Sequence, residues 1–516
     1  MSDILESSVF TSPPAFVETK AYAKLQKLSE RPPSMKEKGF LVEKRLQKMK
    51  SEGACISLLY AFQRINDGIQ KELFHLAKER KVIEQMHAMQ NGAMTNFIRG
   101  HESECRQVLH TASRDLSVVC VKEEHDKLQK FLKKHTHFSH MLFVGIGGSE
   151  LGPKALYHAL RFYHKKDRSV SFISNVDPDN LAEAIEGIDL AKTLVVIVSK
   201  SGSTQETATN EAFLRKVYER KKIHSKNHFV SITQPGSLLD NEENYLERFY
   251  IWDFIGGRFS STSMVGGLLL SFTVGYKNYV KLLEGAREMD QVALEKKIDK
   301  NLPLLLALIG VWNHNFLGYP TLGIIPYSSL LHRFPAHLQQ CDMESNGKHI
   351  DRFGKRVLEK TGPILWGEPG TNAQHSFYQL LHQGTEIVPL ELIGIRKPQC
   401  KKDFAYQGTT SQEKLLSNLF AGALALSVGK EDPNPNKCFE GERPSVLLLL
   451  DQLTPHSLGA LLSLYEHKIA FQGFLWGINS FDQEGVQLGK SLANEILEIF
   501  QTGKGKPFLK SLIADV

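Results

Sequence analysis

Between residues 138 and 270 short apolar runs alternate with longer stretches in which apolar positions return every three or four residues. The runs at 141–144, 169–174, 194–198, 229–233 and 249–252 predict strands and the intervening stretches predict helices, an alternation that makes a parallel sheet covered by helices. Leu-Val-Val-Ile-Val at 194–198 is apolar at every position and mostly β-branched, so that strand is expected to be buried on both faces. Glycine-rich 256–267, followed by a helical stretch at 271–284, closes this first α/β unit. Upstream, residues 20–110 carry apolar positions at helical spacing among charges, with 51–62 and 71–90 the clearest cases, and predict an N-terminal helical layer. Downstream, 302–314 opens a second helical and α/β region with strand-like runs at 321–327, 387–392 and 445–450. Pro389 limits the middle run to an edge strand. Thr454-Pro455 places a hydroxyl at an N-cap and proline in the first turn, starting a helix that runs to about Ala470. The expected organisation is an N-terminal helical region at 1–112, a first α/β unit at 113–290 and a second at 291–516 that ends in a helical arm.

The ends of two predicted strands carry unusual loops. Strand 194–198 runs into Ser199-Lys200-Ser201-Gly202-Ser203-Thr204 and then a helix, where unpaired N–H groups and the positive end of the helix dipole favour an anion. One N-cap needs one hydroxyl, and this segment offers four, so a phosphate site is favoured over ordinary capping. Strand 141–144 runs into Gly145-Ile-Gly-Gly148-Ser149-Glu150-Leu-Gly-Pro153. Glu150 stands where a dinucleotide fingerprint needs its third glycine, and no Gly-Lys-Ser/Thr follows as a P-loop requires. Two such loops without a nucleotide signature imply a small phosphorylated metabolite, with Gly148, Ser149, Ser199, Lys200, Ser201 and Thr204 as candidate phosphate contacts.

Composition narrows the partners. The 516 residues allow two to four domains, and a net charge of +6, from 63 basic and 57 acidic side chains, is too slight to imply nucleic acid as the main partner. Six scattered cysteines form no C-x-x-C pair, indicating neither a zinc site nor a disulfide framework and fitting a reducing cytoplasm. His135, His137 and His140 are crowded but lack accompanying carboxylates or cysteines, so no metal is expected. The first residues have no basic segment and no long apolar core, and the apolar runs at 302–312 and 446–450 are too short to span a bilayer, so neither a secretory signal nor a membrane association is expected.

Six blocks carry a family resemblance: 145–153, 199–207, Gly256-Gly-Arg258-Phe-Ser260, Gln340-Cys-Asp342-Met-Glu344-Ser-Asn-Gly-Lys348, 367–375 ending in His375, and Asn479-Ser-Phe-Asp-Gln483-Glu484-Gly-Val-Gln487-Leu-Gly-Lys490. In this order and over most of the chain the sequence resembles the glucose-6-phosphate isomerase family. The resemblance implies two αβα-sandwich sugar isomerase domains with parallel-rich sheets. It also implies reversible aldose–ketose isomerisation of glucose 6-phosphate and fructose 6-phosphate through a cis-enediol, in glycolysis and gluconeogenesis, with no cofactor. It assigns the carbon-to-carbon proton transfer to Glu344, although by residue type alone Asp342 has an equal claim. Arg258 is implied as stabiliser of the enediolate, Gln340 and Gln483 as partners of sugar and phosphate oxygens, and His375 and Lys490 as the ring-opening acid and base, with Glu206 a candidate to orient His375. Family precedent is a homodimer in which His375 crosses to the neighbouring site. Glu484, Gln487 and the segment Ser201-Gly-Ser203 depart from the family pattern and bear on substrate affinity. The alternative is a non-catalytic sugar-phosphate sensor, which would need a basic recognition segment and would lack the Glu344, His375 and Lys490 blocks. A cysteine nucleophile is not expected, since the resemblance gives Cys341 no role.

Overall fold

The stretch 51–62, read as helix from its spacing, is a hairpin: β1 (Lys50–Gly53) and β2 (Ile56–Leu59) run antiparallel with Lys50 opposite Leu59. Ala54 and Cys55 turn it with φ of 45° and 59°, the sign that primed hairpin turns require. β2 then pairs with residues 447–450, so main-chain pairing with a distant partner overrides the local period. Helices Lys20–Ser29, Asp67–Glu79 and Val82–Gln90 do form in the N-terminal region, with the break in 71–90 at Lys81, whose φ is 49°. This computed structural model describes residues 8–514, divided into one unit that ends at Ser480 and another that begins at Phe481.

The first sheet has five parallel strands: β3 (His140–Val144), β4 (Ser169–Ile173), β5 (Thr193–Val198), β6 (Phe229–Thr233) and β7 (Glu247–Tyr250), in the order β4-β3-β5-β6-β7. Alternate side chains feed two cores. Met141, Phe143, Val196 and Ile232 pack with Leu128 and Phe131 of α1 (Val119–Lys134) and with helix Met264–Thr273, whereas Leu142, Val144, Val195 and Ile197 pack with Leu181, Leu214 and Tyr218 on the other face. β5 is buried at all its positions, as its continuous apolar run predicts. The helix expected at 271–284 is divided by Gly275, at φ 91°, into Met264–Thr273 and Tyr276–Ala293.

The second sheet joins β8 (Thr321–Tyr327), β9 (Ile364–Trp366), β10 (Leu390–Lys397) and β11 (Ser445–Gln452) to the hairpin in the order β1-β2-β11-β10-β8-β9. β10 is central, not an edge strand. It begins one residue after Pro389, which donates nothing to the ladder but accepts from the Gly323 N–H at 3.0 Å, so the proline costs no central hydrogen bond. Helix Ser411–Val428 covers one face through Leu419 and Ala423. The opposite face meets α2 (Pro455–Trp476), capped by the Thr454 hydroxyl, which accepts from Ser457 N at 3.1 Å. α2 continues six residues past Ala470 and is buried at every position from Ser457 to Trp476, including Glu466, His467 and Lys468. Lys468 Nζ donates to Glu391 Oε1 on β10, a buried pair.

In the unit beginning at Phe481, helices Gln487–Thr502 and Pro507–Leu512 are separated by Gly503 in the left-handed conformation. Among the described residues no helix is long and apolar enough to cross a membrane, and no group of three or more His, Cys, Asp or Glu side chains is arranged to hold a metal ion.

Candidate active site

β3 has β4 on one side and β5 on the other, so the connections leaving β3 and β5 diverge and open a crevice at their carboxyl ends. Both hydroxyl- and glycine-rich loops start there: 145–153 follows β3 and 199–204 follows β5. Ser199 is fixed through its backbone, the N–H donating to Ile232 O at 3.1 Å and the carbonyl accepting from Thr233 Oγ1 at 2.7 Å. Its hydroxyl lies 2.9 Å from Thr204 Oγ1 and accepts from Gly202 N at 3.1 Å, while Ser201 Oγ and Ser203 Oγ are 2.9 Å apart. Thr204 occupies the N-cap of helix Gln205–Arg220, yet its hydroxyl caps no backbone N–H. The hydroxyls are therefore gathered around the positive end of a 16-residue helix without being consumed by it. The Lys200 ammonium donates to Asp253 O at 2.8 Å, and burial together with nearby Arg106 lowers its pKa from the usual lysine value.

The two loops adjoin each other and a third segment. A Cβ built on Gly145 would lie 3.3 Å from Val198 Cβ, and one on Gly148 would overlap the carbonyl carbon and oxygen of Gly257. No side chain fits at Gly148, because backbone occupies the space. Ser260 Oγ donates to Gly148 O at 3.3 Å, and a Cβ on Gly147 would lie 3.1 Å from Gln340 Nε2. Gly148, Ser149, Arg258 and Gln340 are thereby drawn to one place.

Helix Phe334–Gln339 passes into a π-helical turn, Gln340–Glu344, of the kind that often marks a functional site. The turn separates the two rival acids. Glu344 remains partly accessible, its Oε2 3.6 Å from Arg258 Nη1. Asp342 is buried, accepts from Asn346 Nδ2 at 3.0 Å, and is pushed up to about 6 mainly by loss of solvent. Arg258 is itself buried, with Nε donating to Ser345 Oγ at 2.7 Å and Nη2 to Ser480 O at 2.8 Å, so its guanidinium is aimed by the backbone and a hydroxyl. Cys341 sits inward, its thiol donating to Arg258 O at 3.3 Å, and burial raises the thiol well above its ordinary range, which makes it a poor nucleophile.

His375 is exposed at the end of helix Gly370–Gln374, and its ring has no hydrogen-bond partner among the described residues. Glu206 is half-buried in the first turn of helix Gln205–Arg220, and no hydrogen bond or ion pair joins it to His375 within the chain. Gln483 and Lys490 belong to the unit that begins at Phe481; Gln483 precedes the turn Glu484–Val486, and Lys490 is exposed on helix Gln487–Thr502 together with Gln487.

A family model described as phosphoglucose isomerase matches residues 59–508. The chain belongs to the phosphoglucose isomerase family. It is 51% identical over 506 residues to a glucose-6-phosphate isomerase of Chlamydia pneumoniae, covering 96% of each protein, and 51% identical over 515 residues to that of Protochlamydia amoebophila. The crystal structure of a glucose-6-phosphate isomerase from Chlamydia trachomatis superposes with a TM-score of 0.94 at 47% identity, covering 97% of this chain and 99% of that one. A hypothetical protein from Thermus thermophilus is more distant, with a TM-score of 0.68 at 27% identity, covering 83% of this chain and 97% of that one. Within this member of the phosphoglucose isomerase family, sequence reading passed over the groups that hold Arg258. Ser345 and Ser480 both lie inside family blocks, directly after Glu344 and Asn479, but a serine beside a chemistry-bearing residue carries no signal of what it touches.

Proposed function

We infer that the protein interconverts glucose 6-phosphate and fructose 6-phosphate by moving a proton between adjacent carbons, with an enediolate between the two sugars. The observation that carries this reading is the pairing of a partly accessible carboxylate with a buried, anchored guanidinium, Glu344 and Arg258, beside loops built for an anion. Glu344 takes the proton from C2 of the open-chain aldose, the electron pair moves to the carbonyl oxygen at C1, and Arg258 stabilises that oxygen as it becomes negative. Glu344, now a carboxylic acid, returns the proton to C1, while the C2 hydroxyl gives up its proton, the C1 oxygen takes one up, and the C2 oxygen becomes the ketone. Ser149, Ser199, Ser201 and Thr204, with the amides around Lys200 and Gly148, bind the phosphate. Gln340 and Gln483 bind sugar and phosphate oxygens, and His375 and Lys490 exchange the protons of ring opening.

In the same reading the two sheets anchor sugar isomerase domains at 113–290 and 291–516, with 1–112 supplying the hairpin to the second. The working form is a cytoplasmic homodimer. His375 supports this because it is exposed next to Ala373, which packs on helix Ser411–Val428, and that helix carries exposed Phe420 and Leu424. A surface of that kind suits burial against a second copy. The six cysteines are free, as in a reducing compartment.

Coupled isomerisation of fructose 6-phosphate by purified protein tests the activity. Turnover is expected to be unchanged by a chelator, because a carboxylate moves the proton and a guanidinium bears the charge. Loss in chelator, restored by a divalent ion, contradicts this mechanism. Converting Ser201 and Thr204 together to Ala is expected to raise KM for fructose 6-phosphate by about tenfold or more with little change in kcat, since phosphate contacts act alike on ground and transition states. An unchanged KM would make those hydroxyls structural.

A further inference from the structure

Glu344 and Arg258 are joined in more than one way. The direct approach is the 3.6 Å between Nη1 and Oε2, and beside it Arg258 Nε donates to the hydroxyl of Ser345, the next residue after Glu344, at 2.7 Å. A longer connection runs through the interior. Arg258 Nη2 donates to Ser480 O at 2.8 Å, Ser480 Oγ donates to Asn346 Oδ1 at 2.8 Å, and Asn346 Nδ2 donates to Asp342 Oδ1 at 3.0 Å. Asp342 and Glu344 share one π-helical turn, so the path closes into a ring. Asn346 Nδ2 also donates to Ile469 O of α2 at 3.2 Å, which ties the ring to the buried helix. Arg258, Asp342, Asn346 and Ser480 are each at most 3% exposed, and water does not loosen their bonds. α2 comes close at Gly473, where a Cβ would overlap Ser480 Oγ and lie 3.3 Å from Asn346 Oδ1.

We propose that Asn346 and Ser480 are positioning residues of the isomerisation, fixing the separation of base and guanidinium through this ring. The inference rests on the assignment of Glu344 as base and Arg258 as stabiliser. Asn346 is suited to the task because one amide has both a donor and an acceptor, so it links the turn carrying the base to the chain segment that aims the arginine. Proton transfer at carbon is sensitive to small displacements, and a supporting layer that holds the reacting groups protects the rate more than the binding.

The test compares Ser480→Ala, which removes one oxygen, with Asn346→Ala and Gly473→Ala. Each is expected to lower kcat for fructose 6-phosphate by about tenfold or more while KM stays within about twofold. Each is also expected to weaken binding of a planar hydroxamate phosphate that mimics the enediolate, in proportion to kcat, and to leave binding of an acyclic sugar-alcohol phosphate unchanged. If Ser480→Ala and Asn346→Ala keep wild-type kcat, the ring positions nothing. Equal loss of both ligands also overturns the proposal, because that is the mark of general unfolding. A wild-type protein that does not isomerise the sugar phosphates overturns the underlying assignment instead, so the two failures are distinguishable.

Discussion

Glu344→Gln is expected to remove turnover almost completely, by ~10²–10⁴-fold, while binding of a phosphosugar inhibitor changes little. The substitution keeps the shape of the side chain and its contact with Arg258 but removes the basic oxygen, and the hydroxyls proposed to bind the phosphate lie on other loops. Comparing kcat with the inhibitor's Kd separates the two effects. Retention of more than about a tenth of wild-type turnover would mean that another group is the base. Asp342 is the first alternative by sequence, and its burial argues against it: it is held by Asn346, lies near the Lys468–Glu391 pair, and cannot reach a substrate without leaving those contacts.

The second large effect concerns assembly. Glu344→Gln and His375→Ala proteins are each expected to be inactive, and mixing them under conditions that allow subunit exchange is expected to restore activity. If His375 serves a neighbour's site, a hybrid dimer has one site with both lesions and one with neither. Exchange is followed by native mass spectrometry and activity by the coupled assay. Confirmed exchange with no returning activity would assign His375 to its own chain's site. The exposed ring of His375 and the apolar side chains on helix Ser411–Val428 motivate the experiment.

What could be read from the sequence follows from where the relevant information lies. β5 was legible because burial on both faces writes a continuous apolar run, and the passage from it through a loop into a helix was legible because that run stops at a cluster of small polar residues. The start of α2 was legible because capping is local chemistry. The hairpin at 50–59 was not, since its strands take their identity from residues 447–450, and spacing inside the hairpin says nothing about them. Pro389 misled for a related reason: the proline rule depends on which side of a strand boundary the residue falls, and boundaries are where local patterns are weakest. In the candidate site, Glu344 and Asp342 are equivalent by type, and only the fold gives one of them an opening and the other a buried amide. Ser345, Asn346 and Ser480 are ordinary polar residues until the chain brings them around Arg258.

The pairing of β2 with β11 has a consequence for how the protein is made. Leu59 leaves the ribosome early, and its ladder partner Leu447 follows roughly 390 residues later, a delay of about 20–80 s at ordinary rates of synthesis. For that interval segment 50–59 lacks the partner that makes it part of a sheet, and Ile56 and Leu58, both buried in the finished sheet, have nothing to pack against there. The five-stranded sheet, whose strands all lie between His140 and Tyr250, can meanwhile close on its own. Synthesis therefore imposes an order on folding, with all strands of the first sheet available while the second sheet waits for β11 in the last third of the chain.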